Sequence, residues 1–162
     1  MTERLVGDWI PAYLDYTAGT EAPRLMHFWA GVSCIAACLR RKVWIDMKRF
    51  QWYPNFYIIF VAPPGIISKT TTMDMGMDLV KNVPGIKFGP DVVTWQALVT
   101  AFAGAQEDFQ LGEDFVPMSP VTLASGELGN LINPQDRDMV NLFIALWDGR
   151  KSFEKITKGS GS

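Results

Sequence analysis

Lys69 and Thr70 are the residues of this chain whose types and spacing most directly suggest chemistry. They follow an apolar run at residues 56–61 and the turn-forming sequence "APPG", and two further threonines come after them. A lysine ammonium pairs with the phosphates of a nucleotide, and a threonine hydroxyl binds the accompanying Mg²⁺. The beginning of a helix adds N–H donors and partial positive charge. A strand, a loop and a helix in this order therefore predict a phosphate-binding site.

The loop departs from the strict phosphate-binding pattern, the Walker A sequence G-x-x-x-x-G-K-[ST]. With Lys69 in the lysine position, Thr70 occupies the metal-binding position as required, but Pro63 and Ser68 stand where the pattern has glycine. A side chain at Ser68 limits the approach of the backbone to a phosphate and disfavours positive φ. Two interpretations stay open: a nucleotide site with a degenerate Walker A loop, or a strand-to-helix connection with threonine as the cap and lysine on the surface.

Glu127 is the second candidate catalytic residue. It lies just beyond a predicted strand at residues 121–125, one strand-helix-strand unit after the loop. A carboxylate in this place orients the water that attacks a phosphate, and it helps to hold Mg²⁺ through water. Many P-loop enzymes have aspartate at the strand end, where this chain has Ser125, so Glu127 is left as the acid for both tasks. The alternative is an acid favoured by the positive end of a helix.

Residues 40–53 form the most basic segment of the chain, and this segment is also rich in aromatic residues. Aromatic rings stack on bases while cations neutralise phosphates, so this composition suits single-stranded nucleic acid. The alternative is a solvated hairpin whose rings turn inward. The candidate nucleic-acid contacts are Arg40, Arg41, Lys42, Lys48, Arg49 and Trp52, which are interleaved with Trp44, Phe50 and Tyr53.

The spacing of apolar residues predicts that helices and strands alternate through most of the chain. A continuous apolar strand, such as the one at residues 56–61, is typical of a parallel sheet covered on both faces. We therefore expect an α/β fold with a mostly parallel sheet, preceded by an N-terminal helical segment and a β-hairpin. The sequence "QEDFQLGEDFVPMSP" is expected to be an acidic loop. Helices are predicted at residues 5–16, 24–39, 70–80, 94–105 and 136–147, and strands in "KVWIDM", "FQWYP", "NFYIIFVA", "GIKFGP", "VTLAS" and "KSFEKIT".

The composition is that of a globular protein, since 48% of the 162 residues are hydrophobic and 20% are charged. The net charge of −2 excludes a uniformly basic surface, so any nucleic-acid contact must come from a local patch. The N-terminal sequence carries acids and no long apolar stretch, and no apolar run is long enough to span a bilayer. We therefore expect a cytoplasmic protein without a membrane partner.

Four segments, taken in order, make the chain similar to a known family. They are "WIPAYLDYTAGTEAPRLMHFWAGVSCIAACLRRKVWIDM", "YPNFYIIFVAPPGIISKTTT", "GPDVVTWQAL" and "ASGELGNLINPQDRDMVNLFIALWDG". Together they resemble a family of phage and prophage P-loop ATPases that are usually labelled helicases or primase-helicases. The resemblance runs from Trp9 to about Lys158. It implies a RecA-like P-loop NTPase fold and a role in DNA replication, in the host-cell cytoplasm if the chain is phage-encoded.

The resemblance also implies roles for individual residues. Lys69 would bind phosphate, Thr70 would bind Mg²⁺, and Glu127 would take the place of the Walker B acid. ATP would be bound and hydrolysed, and DNA, preferably single-stranded, would be the macromolecular partner. A homo-oligomer, as a ring or a dimer, is expected to be needed for activity, because the sequence offers no convincing arginine finger. The residues expected to contact the nucleotide are Pro64, Gly65, Ser68, Lys69, Thr70 and Thr71.

The expected domain organisation has three parts. Residues 1–53 would form the N-terminal helices and the basic hairpin, residues 54–158 the P-loop core, and residues 159–162 a flexible Gly/Ser tail. The predicted strands are fewer than a RecA-like core contains, so we expect this core to be incomplete. Two other functions stay open on the same fold: a DNA-packaging, terminase-like ATPase, and a non-hydrolysing assembly module that binds DNA or protein.

Overall fold

The computed structural model describes residues 5–91 and 94–149, which form six helices and four strands. The predicted strand "KSFEKIT" and the predicted flexible tail lie outside the described residues. In chain order the elements are α1 (Trp9–Tyr16), α2 (Arg24–Leu39), β1 (Ile45–Asp46), β2 (Gln51–Trp52), α3 (Lys69–Lys81), α4 (Trp95–Gly104), β3 (Glu107–Leu111), β4 (Asp114–Met118), α5 (Leu128–Leu131) and α6 (Arg137–Trp147).

The five predicted helices are present, and local signals explain where two of them begin. At the start of α4 the Thr94 hydroxyl accepts a hydrogen bond from the backbone N–H of Ala97 (3.3 Å). At the start of α6 one carboxylate oxygen of Asp136 accepts from the N–H groups of Asp138 and Met139. Such side-chain caps satisfy N–H groups that have no partner within the helix, and they are readable from sequence because they act over two or three residues.

The predicted mostly parallel sheet is absent from the described residues, so the RecA-like P-loop fold is wrong for this chain. β1 pairs with β2, and β3 pairs with β4; both pairs are antiparallel, and neither is extended by a third strand. The single parallel pairing within the described ranges is an isolated bridge between Phe88 and Thr122. The sequences "GIKFGP" and "VTLAS" contribute to this bridge, but they form no longer ladder.

Residues 56–61, which were expected to be a buried strand, lie outside any sheet, and part of their apolar surface is exposed. Pro54 precedes the segment and Pro63 follows it, and proline has no N–H to donate to a strand ladder. A side chain fastens the segment to α6 instead, because the Tyr57 hydroxyl donates to the backbone carbonyl of Phe143 (2.8 Å). The apolar composition of residues 56–61 therefore predicted a strand that the structure does not form.

The expected acidic loop is an antiparallel hairpin formed by β3 and β4. Its register places Leu111 opposite Asp114, which leaves Gly112 and Glu113 as a two-residue turn. Gly112 has a φ of 65°, a conformation that glycine adopts without steric cost. Glycine at the first position of a two-residue turn between alternating side chains is the sequence signal that predicts such a hairpin.

Two hydrophobic clusters support the helices, one between α4 and α6 and the other between α2 and α3. Residues 121–125 connect them, because Leu123 packs against the first cluster and Ala124 packs against the second. This packing carries the next residues, Ser125 and Gly126, towards the beginning of α3. The first cluster consists of Leu98, Met139, Leu142 and Phe143, and the second of Cys34, Met77 and Val80.

Candidate functional site

The loop before α3 turns at Pro64 and Gly65, both of which are exposed. Gly65 has a φ of 75°, which costs a residue with a side chain about 1–2 kcal/mol. Ser68, in contrast, has a φ of −74°. The left-handed residue of this loop is therefore Gly65, and the serine in the expected glycine position adopts a conformation that any residue tolerates.

The Lys69 side chain folds back over this loop. Its ammonium group donates to the carbonyl oxygen of Ala62 (2.8 Å) and lies 3.3 Å from that of Pro63. An ammonium has three N–H donors, so one of them is left for another acceptor. The positive charge is thus held in place at the beginning of α3 before any ligand arrives.

No side chain caps the beginning of α3. The Ser68 hydroxyl donates to the Glu21 carboxylate (3.0 Å) instead of accepting from the helix. The backbone N–H groups of Thr70 and Thr71 have no acceptor among the residues that the structure describes. Two N–H groups without an acceptor and the positive end of the helix dipole therefore lie in the same first turn as Lys69, and a helix start of this kind attracts anions.

Glu21 adds a negative charge beside the loop. The pKa of its carboxyl group is lowered because the carboxylate accepts hydrogen bonds, first from its own backbone N–H and then from the Ser68 hydroxyl. Glu21 is therefore ionised at neutral pH and opposes an incoming anion. No feature of the sequence identifies this residue, since it lies 47 positions before Ser68.

The segment around Glu127 reaches the beginning of α3 from a distant part of the chain. A Cβ atom placed on Gly126 would lie 3.5 Å from the Thr70 Cγ2 and 3.7 Å from its hydroxyl oxygen. The Ser125 hydroxyl donates to the Glu127 carbonyl (3.0 Å), which shapes the turn before α5. Glu127 is exposed, and its carboxylate makes no hydrogen bond or ion pair with the described part of the chain.

A cavity of about 410 Å³ lies beside this group, within the usual size range of small-molecule sites. Its lining includes Lys69, Thr70, Ser125 and Gly126 together with apolar side chains from α2, α4 and α6. Tyr57 also lines it, and burial raises the pKa of Tyr57 to about 12, so the hydroxyl stays a donor. The cavity therefore combines an apolar interior with the polar groups at the beginning of α3.

The residues present fit Mg²⁺ only if the ligand supplies phosphate oxygens. No group of three or more histidine, cysteine, aspartate or glutamate side chains within residues 5–91 and 94–149 forms a metal centre. The Thr70 hydroxyl is a hard oxygen ligand for a metal ion. Gly126 lies beside it and directly precedes Glu127 in the chain. Such sparse protein ligation is typical of Mg²⁺, which keeps several waters and binds through substrate phosphates.

The six candidate nucleic-acid residues differ in their surroundings. Arg40 is largely buried and forms an ion pair with Glu107, so its charge is already neutralised. The Arg41 guanidinium lies 3.8 Å from the centre of the Tyr53 ring. The other four, Lys42, Lys48, Arg49 and Trp52, are exposed.

Comparisons with protein-family models, with curated proteins and with solved structures each give no significant match. The resemblance to phage and prophage ATPases therefore stays a prediction. No helix in residues 5–91 and 94–149 combines the length and the apolar character that crossing a membrane requires.

Proposed function

We propose that this chain binds a nucleoside triphosphate, ATP in the first instance, with its phosphates at the beginning of α3. The observation that carries the proposal is the convergence of three features: the Lys69 ammonium held over the loop, the free N–H groups of Thr70 and Thr71, and the neighbouring turn at Gly126. Cations and free N–H groups at a helix start are the usual partners of phosphate. The apolar part of the adjoining cavity suits the flat base of the nucleotide.

In this proposal each residue has a separate task. The free N–H donor of Lys69 and the N–H groups of α3 bind the β- and γ-phosphates, while the Thr70 hydroxyl ligates Mg²⁺. Bound Mg²⁺ would neutralise part of the phosphate charge. Glu127 would orient a water molecule whose oxygen bonds to the γ-phosphorus as the bond to the bridging oxygen breaks, giving ADP and inorganic phosphate.

Hydrolysis and binding are separable parts of the proposal. The replication ATPase implied by the family resemblance and a DNA-packaging ATPase both require turnover, whereas an assembly module requires only binding. Phosphate release by the wild-type chain, lost in Glu127→Gln with ATP affinity retained, would favour an ATPase. All three of these functions would be carried out in the cytoplasm. A homo-oligomer remains the expected active form.

Calorimetric titration with ATP and Mg²⁺ tests the binding site. Lys69→Ala should weaken binding at least about tenfold, because a hydrogen bond to a charged group contributes about 1.5–3 kcal/mol. Lys81→Ala is the matched control, since Lys81 ends the same helix and pairs with Asp78 on the surface. A thermal melt of each variant verifies folding. Equal affinity in all three proteins, or no binding by the wild type, would refute the proposal.

A further inference from the structure

The β1–β2 hairpin presents an apolar face that nothing in the described residues covers. Ile45 lies opposite Trp52 in the register, and since alternate residues of a strand share a face, Met47 and Phe50 belong to the same side. The exposed fractions of these four side chains lie between 45% and 60%. We call Ile45, Met47, Phe50 and Trp52 the hairpin face.

The opposite side of the hairpin is covered, so the exposure of the hairpin face is not a general property of this segment. Trp44 packs against Tyr53, with ring centres 6.3 Å apart, and against Phe109 of β3, at 6.5 Å. Arg41 covers the Tyr53 ring. The rings that the sequence places in this segment are thus divided, with Trp44 and Tyr53 turned inward and Phe50 and Trp52 turned outward.

Positive charge is concentrated at one end of the hairpin face, where the exposed Lys48 and Arg49 form the tip. Arg41 and Lys42 precede the first strand, and their charges lie over the Tyr53 and Phe109 rings of the covered side. The only acid between residues 40 and 53 is Asp46, whose carboxylate accepts a hydrogen bond from the Lys48 N–H (2.7 Å).

We propose that the hairpin face binds a single strand of nucleic acid. Phe50 and Trp52 are neighbours, with ring centres 5.8 Å apart, and they offer stacking surfaces to successive bases. Lys48 and Arg49 at the tip contact the phosphates of the strand. A duplex keeps its bases paired and stacked inside, so the two rings select an unpaired strand.

Charge complementarity favours this occupant over two others. An apolar protein partner would not require two adjacent cations beside the face, and in a chain of net charge −2 their position here points to a polyanion. A second copy of the chain could offer its acidic β3–β4 hairpin, and an anionic lipid surface could accept both rings and cations. The experiment is therefore designed so that either result would be recognised.

Fluorescence anisotropy of a labelled oligothymidylate, measured without ATP, tests the proposal. Phe50→Ala should bind the strand about tenfold more weakly than the wild type, since a stacked base loses about 1–3 kcal/mol when its ring is removed. Phe115→Ala is the matched control, because Phe115 is also an exposed phenylalanine in a two-stranded hairpin, on β4. Both changes are at the surface, so a thermal melt should show little change in either variant.

Three results would overturn the proposal. The first is equal strand affinity in the wild type and Phe50→Ala, and the second is an equal loss in Phe115→Ala. The third is a Phe50→Ala effect seen only with vesicles of anionic phospholipid, or only as a loss of self-association in sedimentation. Lys69→Ala should bind the oligonucleotide like the wild type, so the nucleotide proposal and the hairpin proposal fail independently.

Discussion

The loop before α3 and the tip of the β1–β2 hairpin both combine a lysine with one left-handed residue, but they do so in opposite ways. In the loop the left-handed residue is Gly65, and the Lys69 ammonium is fixed by two backbone carbonyls. In the hairpin the left-handed residue is Lys48 itself, with a φ of 67°. Among the described residues, the ion pairs involve Arg40, Lys81 and Lys87, and the Lys48 ammonium makes no hydrogen bond or ion pair.

This difference indicates two kinds of anion binding. A charge that two backbone carbonyls hold in place at a helix start suits a compact anion such as a triphosphate, and salt screens it little at short range. Solvated charges on an exposed hairpin suit an extended polyanion, and their effect decays over a Debye length of about 8–10 Å at 0.10–0.15 M salt. The four predictions below test this contrast, beginning with the largest expected effect.

Salt should separate the two sites most clearly. Two cations contacting phosphates, Lys48 and Arg49, imply a slope of about −1.4 in log affinity against log salt for a single strand, and hence about a sevenfold loss between 50 and 200 mM salt. ATP affinity should fall much less, because Lys69 is the one cation bonded to the loop in the described ranges. Parallel anisotropy and calorimetric titrations measure both. Equal salt dependence would remove the distinction between the sites.

Gly65→Ala should lower the free energy of unfolding by about 1–2 kcal/mol, because a side chain is strained at this φ. Nothing lies within 4 Å of the added Cβ, so the cost comes from backbone conformation alone. ATP affinity should fall as the loop relaxes, and oligonucleotide affinity should not change. Gly104→Ala, in α4, is the control without strain. Urea denaturation measures stability, and a neutral Gly65→Ala would contradict the left-handed turn.

Lys48→Gly should change stability and strand binding in opposite directions. Glycine relieves the left-handed strain, so the free energy of unfolding should rise by up to about 1 kcal/mol. The loss of one phosphate contact should reduce the salt slope by about 0.7. Lys48→Ala removes the same charge but keeps the strain, so it should lose affinity equally without the gain in stability. Equal free energies of unfolding for Lys48→Gly and Lys48→Ala would show that the backbone at Lys48 is not strained.

Glu21→Gln should strengthen ATP binding about two- to threefold at low salt, since it removes a negative charge beside Ser68, and the gain should fade as salt screens it. Glu113→Gln, on the β3–β4 hairpin, should not change ATP affinity.

The lowered pKa of Glu21 also makes the stability of the fold depend on pH. The hydrogen bonds that the carboxylate accepts, first from its own backbone N–H and then from the Ser68 hydroxyl, stabilise the fold fully above the ordinary pKa of 4.5, and this stability is lost as the pH falls through the lower folded value. A pH series of urea denaturation should show this acid loss in the wild type and not in Glu21→Gln.

Local rules predicted the helices and the first hairpin. α2 and α3 follow from their apolar spacing, and Thr94 and Asp136 act as caps in the way that their positions indicate. The β1–β2 hairpin lies within the two segments chosen for it. These features depend on residues no more than seven positions apart, which is why a single sequence predicts them.

Non-local pairing was where prediction failed. Residues 56–61 and 121–125 have the composition of central strands, yet only Thr122 pairs, through the bridge to Phe88. A strand requires a partner of matching length and register, and the prolines around these segments leave few donors for a ladder. The acidic composition of residues 106–120 predicted a loop, whereas the glycine turn at Gly112 favours the β3–β4 hairpin that forms.

By itself, the sequence determined which segments are helical, which loop carries Lys69 and Thr70, and where cations and aromatic rings are concentrated. These properties follow from side-chain chemistry and short-range backbone preferences. Only the tertiary structure decided that Glu21 bonds to Ser68, that Gly126 approaches Thr70, and that Phe50 and Trp52 face outward. Such contacts join residues up to 56 positions apart, and burial and pairing depend on the packing of whole helices rather than on any local pattern.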